Sequence, residues 1–175
     1  MREPGHQYSQ LQELGVKLIS AQELLFAQAD GVPVIDIRPP PEFDAGHIEG
    51  SVNVPLYRLI TGWDTRKFLR RAGFAFFGVL NGTEVNPDFH SEVAAAADQA
   101  KGAVLICNMG GTMDDSKTKQ GGMQSRSLMA AYELTNLGFK TGLRVLKGGF
   151  YEWRKSGRRV VTREEVVEEG DEVEE

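Results

Sequence analysis

The chain has 175 residues, a formal net charge of -5, 41% hydrophobic residues and 26% charged ones, a composition that fits one globular domain with tails. No apolar run approaches the roughly 20 residues that a membrane-spanning helix needs, and the negative charge argues against nucleic acid as a partner, because phosphate binding needs Lys and Arg clustered on one face. The single cysteine, Cys107, excludes an intrachain disulfide framework, and His6, His47 and His90 are scattered without zinc-ligand spacing, so neither disulfide nor metal is expected to hold the fold.

In chain order, the opening MREPGHQYSQ has neither an apolar signal segment nor the Arg- and Ser-rich, acid-poor stretch of an organelle transit peptide. The expectation is a cytosolic protein or one whose targeting segment has been removed. Val16 to Ile19 reads as a short strand. Ser20 and Glu23 then have the spacing of a capping box, which predicts a helix over 21–29 that Gly31 stops. Val32 to Ile37 reads as a buried strand with Asp36 at its end, halted by the proline run Pro39 to Pro41. Val52 to Val54 is a further short strand, and the mix of apolar and basic residues from Tyr57 to Arg71 predicts a helix.

Leu80 to Thr83 marks a turn, and Pro87 opens a helix through the alanine-rich Val93 to Ala97, ended by Gly102. Ala103 to Ile106 is the cleanest strand in the chain, short, apolar and mostly β-branched, and it delivers Cys107 at its C-terminal end. From Asn108 to Gln124 the chain is polar and glycine-rich, after which Leu128, Ala131, Tyr132, Leu134 and Leu137 mark a helical face closed by Gly138. Leu143 to Leu146 reads as the last strand and Phe150 to Lys155 as a short helix. Glu164 to Glu175 is nearly all acid and reads as a solubilising, disordered tail. The alternation of strands and helices predicts an open α/β fold with parallel strands and helices on both faces. Its ligand site would lie beyond the C-terminal strand ends, where Cys107 stands.

A cysteine between a buried strand and a helix N-terminus is well placed for chemistry. Loop and helix N–H groups can point at its sulfur and stabilise the thiolate, which is the attacking form. Lys117, Lys119 and Arg126 supply charge to attract an anionic substrate, and the pairs Gly110-Gly111 and Gly121-Gly122 let backbone amides turn inward around it. Against this stands the plain alternative that free cysteine is among the most buried residue types, and that a lone one after an apolar strand is often core.

The segments Val34-Ile35-Asp36-Ile37-Arg38, Glu42-Phe43, Gly46-His47-Ile48 and Gly50-Ser51-Val52-Asn53-Val54-Pro55 resemble the N-terminal signature of the rhodanese family. Leu146-Lys147-Gly148-Gly149-Phe150, with Trp153 and Gly157, resembles its C-terminal signature. The resemblance implies a rhodanese-like domain over 16–161 with a five-stranded parallel sheet, preceded by an extension over 1–15 and followed by the tail over 162–175. It also implies that Cys107 carries a sulfane sulfur as a persulfide, with no metal or organic cofactor. The usual loop of that family is Cys-x-x-Gly-x-Arg-Ser. Here the matching Ser125-Arg126-Ser127 puts the arginine 19 positions after Cys107, an insertion of 14 residues that makes 108–124 an extended loop. The spread of Asn81-Gly82-Thr83-Glu84, Asn86-Pro87, Gly110-Gly111-Thr112 and Gln124 to Ser127 is similar to plastid rhodanese-like proteins of plants and algae, which implies a chloroplast location.

From that resemblance the expected partners are a small anionic sulfur donor such as thiosulfate and a thiol or protein acceptor. Arg126, Lys117, Lys119, Gly110, Gly111 and Ser125 are expected to bind the donor. Asp36, Arg38, Glu42 and His47 are read as structural residues near the site, Arg38 with Glu42 as a charge pair that shapes the turn and His47 as a hydrogen-bonded turn residue. Trp153 is read as packing, and the basic run Arg154 to Arg159 as solvated surface. Two alternatives remain open. One is a non-catalytic module whose inserted loop binds a partner. The other is a phosphatase or arsenate reductase with Asp114 or Asp115 as the acid, ranked last because those acids would repel a dianion.

Overall fold

The computed structural model describes residues 11–59, 83–98, 100–111, 113, 125–139 and 142–163. Twelve elements follow one another in these segments. They are β1 (Lys17–Ile19), α1 (Ala21–Ala29), β2 (Val34–Asp36), α2 (Pro40–Asp44), β3 (Ser51–Asn53), β4 (Tyr57–Leu59), β5 (Thr83–Val85), α3 (Phe89–Ala96), β6 (Ala103–Ile106), α4 (Arg126–Asn136), β7 (Leu143–Leu146) and α5 (Gly149–Lys155). The main sheet has five parallel strands, as the family resemblance implies, and their order is β1-β7-β6-β2-β3.

Successive side chains of a strand point to opposite faces, and the core divides accordingly. Ile35, Leu105 and Val145 pack with Phe89 and Val93 of α3 and with Leu128, Ala131 and Leu134 of α4. Val34, Val104, Ile106 and Leu146 pack with Leu24 and Ala27 of α1 and with Phe150 and Trp153 of α5. Helices therefore cover both faces, which is why all four residues of β6 are buried and why its sequence runs apolar without alternation. Leu11 already belongs to the α3/α4 side of this core, so packing begins ahead of the first strand.

The chain leaving β6 goes to β7 on one side, while the chain leaving β2 goes to β3 on the other. A crevice at such a reversal of strand order, outside the C-terminal strand ends, is where open α/β sheets bind ligands. Cys107 follows β6 and Arg38 closely follows β2, so both stand at that point.

The capping box of α1 forms as expected. The Ser20 side chain accepts from the Glu23 N–H at 3.3 Å, and Glu23 Oε2 accepts from the Ser20 N–H at 2.7 Å. The backbone N–H of Ser20 is the main influence holding the Glu23 carboxyl below its ordinary value of 4.5, with the Ser20 hydroxyl second. A lowered folded value means that the ionised cap stabilises α1 fully above pH 4.5 and that this contribution fades as pH falls through the folded value. Protection of the first-turn amides of α1, taken relative to the intrinsic exchange rate at each pH, is expected to fall over that acid range in the native chain. It should show no such pH step in Glu23→Gln; an identical step in both would exclude the cap as its cause.

Two expectations need correction. Tyr57 to Leu59 is not helical but forms β4, paired antiparallel with β5 through Tyr57 opposite Val85 and Leu59 opposite Thr83. Tyr and Leu suit a pleated surface as well as a helix, and the deciding partner lies in a segment that local periodicity does not reach. The remainder of that expected helix, and the turn up to Gly82, lie outside the described residues, as do the first ten residues and Glu164 to Glu175. Pro87 precedes its helix by two positions rather than opening it, with Asp88 at the cap.

Candidate active site

Cys107 leaves β6 on the face that packs against α4, and it is 2% exposed. Two hydrogen-bonding groups meet its sulfur, one a backbone donor and the other a hydroxyl that can donate or accept. The N–H of Gly110 approaches Sγ at 3.4 Å, and the Ser127 hydroxyl lies 3.1 Å from Sγ. Ser127 is fully buried in the first turn of α4, whose N-cap Ser125 accepts from the Leu128 N–H at 3.2 Å and sits 3.1 Å, oxygen to oxygen, from Ser127. The two serines thus form a short hydroxyl chain that ends on the thiol. When the sulfur is a thiolate both groups can donate to it, and such charge-assisted hydrogen bonds are the stronger ones.

The turn that carries the Gly110 N–H is set by glycine. Gly110 and Gly111 have φ of 66° and 65°, a left-handed conformation that side chains with a Cβ resist. The turn rests on the start of α5, where Gly148 and Gly149 also have positive φ, 74° and 60°. The Phe150 N–H donates to the Cys107 carbonyl at 2.9 Å and the Tyr151 N–H to the Asn108 carbonyl at 3.0 Å. These are first-turn donors of a helix, which have no partner within it. The Gly-Gly-Phe segment therefore clamps the cysteine loop by backbone alone.

Arg126 is 31% exposed and faces Glu42 of α2 at 3.7 Å. Arg38 does not pair with Glu42 as expected; its guanidinium binds Asp36 at 2.6 Å, donates to the Gly46 carbonyl at 2.8 Å and lies 3.8 Å over the Phe150 ring. Asp36 and Arg38 are both buried. The reason is strand geometry: residues two apart leave an extended chain on one side, whereas Glu42 has already turned away into α2. His47 is buried, its ring stacked 3.8 Å from that of Phe43 and its Nδ1 3.1 Å from the Phe43 carbonyl. It does not join the donors on Sγ.

Of the expected site residues, the fold brings Cys107, Gly110 and Ser125 together, with Gly111 in the same turn and Arg126 at the head of α4. Lys117, Lys119, Gly121, Gly122, Asp114 and Asp115 lie outside the described residues. Ser127 is the residue that the sequence reading passed over. Its signal was its place as the last member of the loop pattern, but its contact with Sγ spans 20 positions and appears only once α4 is docked.

Removing the Ser127 hydroxyl takes one donor from the thiolate. A hydrogen bond to a charged group is worth about 1.5–3 kcal/mol, and roughly half of the effect on rate is offset by the higher nucleophilicity of a less stabilised thiolate. Ser127→Ala is expected to slow alkylation of Cys107 by iodoacetamide roughly three- to tenfold at neutral pH by this arithmetic. An unchanged rate in a folded variant would show that the hydroxyl is packing only.

The rhodanese-like domain family model matches residues 20–156. Rhodanese-like domain-containing protein 14, chloroplastic, of Arabidopsis thaliana is 45% identical over 132 residues, covering 75% of this chain and 58% of that protein. Thiosulfate sulfurtransferase 16, chloroplastic, of the same plant is 29% identical over 142 residues, covering 81% of this chain and 88% of that protein. This chain thus spans somewhat over half the length of the first relative and most of the second. Among solved structures, a thiosulfate sulfurtransferase from Pseudomonas aeruginosa is similar with a TM-score of 0.52 at 15% identity, over 90% of this chain and 22% of that one. That likeness concerns the fold alone.

Proposed function

We propose that this chain, which belongs to the rhodanese-like domain family, transfers sulfane sulfur through a persulfide on Cys107. The observation that carries the reading is the convergence of the Gly110 N–H and the Ser127 hydroxyl on a thiol at the end of the central strand. The first half-reaction is attack of the Cys107 thiolate on the outer sulfur of a donor such as thiosulfate. The donor's S–S bond breaks and sulfite leaves with the electron pair. In the second half-reaction a nucleophilic acceptor, a thiol or another protein, takes that outer sulfur and Cys107 leaves as thiolate. Electrons balance over the cycle without a redox partner or cofactor.

Gly110 and Ser127 hold the charge on Sγ in the free thiolate and again as it leaves the persulfide, and Arg126, next to Ser127 at the head of α4, is the cation assigned to the oxyanion part of the donor. In that case its 3.7 Å pairing with Glu42 must open when the donor arrives. Lys117 and Lys119 keep their proposed share in donor binding. The chloroplastic relatives support a plastid location for this chain as part of the same reading.

The test is intact-mass measurement after treatment with thiosulfate. One added sulfur atom is expected on the native chain and none on Cys107→Ser, which removes the only cysteine. No adduct from thiosulfate, a polysulfide or a mercapto-acid donor would sink the proposal.

The near-complete burial of Cys107 favours one rival, a non-catalytic module that binds a partner through the inserted loop. That reading predicts a partner interaction lost on deleting residues 113–120 and kept in Cys107→Ser.

A further inference from the structure

We propose that the cleft between α1, the 109–111 turn and α5 is a second binding site, for a small organic anion with an apolar body, of the aromatic carboxylate class. The cleft holds about 460 Å³, room for one ring and a carboxylate. Its lining includes Met109, Leu146 and Trp153 together with Lys147 and Arg158. This is the composition of a small-molecule site, mostly apolar with a few polar groups that fix orientation.

The cleft is distinct from the thiol's own surroundings. Leu146 and Trp153 belong to the core on the α1/α5 face of the sheet, whereas Cys107 belongs to the α3/α4 face. The 109–111 turn lies between the two sites, with Met109 and Gly111 lining the cleft and the Gly110 N–H on Sγ.

Charge selects an anion. The acid of the cleft, Glu152, is paired with Lys155 at 3.8 Å. Among the described residues no carboxylate pairs with Lys147 or Arg158, so the cleft carries a local positive excess in a chain of net charge -5.

Arg158 is the more informative of the two cations. Its guanidinium lies 5.4 Å over the Trp153 ring, which orients it, and its Nε–H is buried without an acceptor. Buried donors are rarely left unpaired, and an unmatched one asks for a partner. A carboxylate bound in the cleft is the partner that a guanidinium lining it would take, in the bidentate geometry for which arginine is suited. Trp153 is itself fixed, its indole N–H donating to the Arg159 carbonyl at 2.8 Å, so the apolar wall is ready-made.

The experiment is titration of this 175-residue chain with phenylacetate, followed by proton–nitrogen correlation spectra. Saturable shifts are expected at the Trp153 indole and at the amides of Gly111 and Gly148. Phenylacetamide, which lacks the charge, and acetate, which lacks the ring, should each bind at least tenfold more weakly. Arg158→Gln should weaken phenylacetate by tenfold or more, and Lys147→Glu, at an exposed position, gives the same readout if the first variant fails to fold. Cys107→Ser should bind phenylacetate normally, which separates this site from the sulfur reading. Shifts that never saturate, equal binding of phenylacetamide, indifference to both variants, or shifts centred on Glu49 and Gly50 of the neighbouring cleft would each overturn the proposal.

Discussion

Arg38→Ala is expected to destabilise the fold by about 3–5 kcal/mol, the range for removing one partner of a buried ion pair. The magnitude follows from what is left behind. Asp36 is fully buried and receives from Arg38 the backbone N–H at 3.0 Å, Nε–H at 3.0 Å to each carboxylate oxygen and a terminal N–H at 2.6 Å. Truncation leaves the backbone donor alone to satisfy a charge out of reach of water. It also strips the Gly46 carbonyl of its donor and the Phe150 ring of the cation stacked on it.

The pair itself need not be worth that much, because desolvation of both ions offsets their attraction. The double variant Asp36→Asn with Arg38→Met should therefore be less destabilised than Arg38→Ala alone, as measured by the urea midpoint at constant slope. If the double variant were as unstable as the single one, the loss would come from packing on Phe150 and not from the stranded carboxylate.

That pair also shows where the sequence is legible and where it is not. The main-sheet strands are short and bounded by turn residues, and β2, β6 and β7 are mostly apolar, so local pattern suffices to find all five; the Ser20 to Glu23 spacing predicts the start of α1 and Gly31 its end. Cys107 stands out for the same local reason, as the first residue after the most apolar strand. The partner of Arg38 does not. Asp36 and Glu42 are both near in sequence, and only the direction in which an extended chain projects its side chains decides for Asp36.

Pairing of β4 with β5, the reach of Ser127 to Sγ and the Glu42 to Arg126 contact all join segments far apart in the chain. They depend on how elements dock, which residue pattern does not encode locally. The candidate site is thus legible in its cysteine and its glycine turn and obscure in the Ser127 hydroxyl.

The second large effect is expected at that turn. In Gly110→Ala a Cβ would stand 2.2 Å from the Leu146 carbonyl oxygen, 2.5 Å from the Gly149 nitrogen and 2.7 Å from the Gly148 nitrogen. All three are backbone atoms held in the sheet and the start of α5, so the turn must move instead. Its φ of 66° adds the left-handed penalty of about 1–2 kcal/mol that a Cβ brings. Gly157→Ala isolates that penalty, because Gly157 has φ of 70° and open space where its Cβ would go. Gly110→Ala should therefore lower stability by clearly more than Gly157→Ala.

The difference in sulfur uptake should be sharper. Displacing the turn carries the Gly110 N–H away from Sγ and loosens the bonds from Phe150 and Tyr151 that clamp residues 107 and 108. Persulfide formation from thiosulfate is expected to fall by at least tenfold in Gly110→Ala at a temperature where it remains folded, and to stay near the native rate in Gly157→Ala. Equal rates in the two would mean that the backbone donor adds nothing to the chemistry and that Ser127 stabilises the sulfur alone.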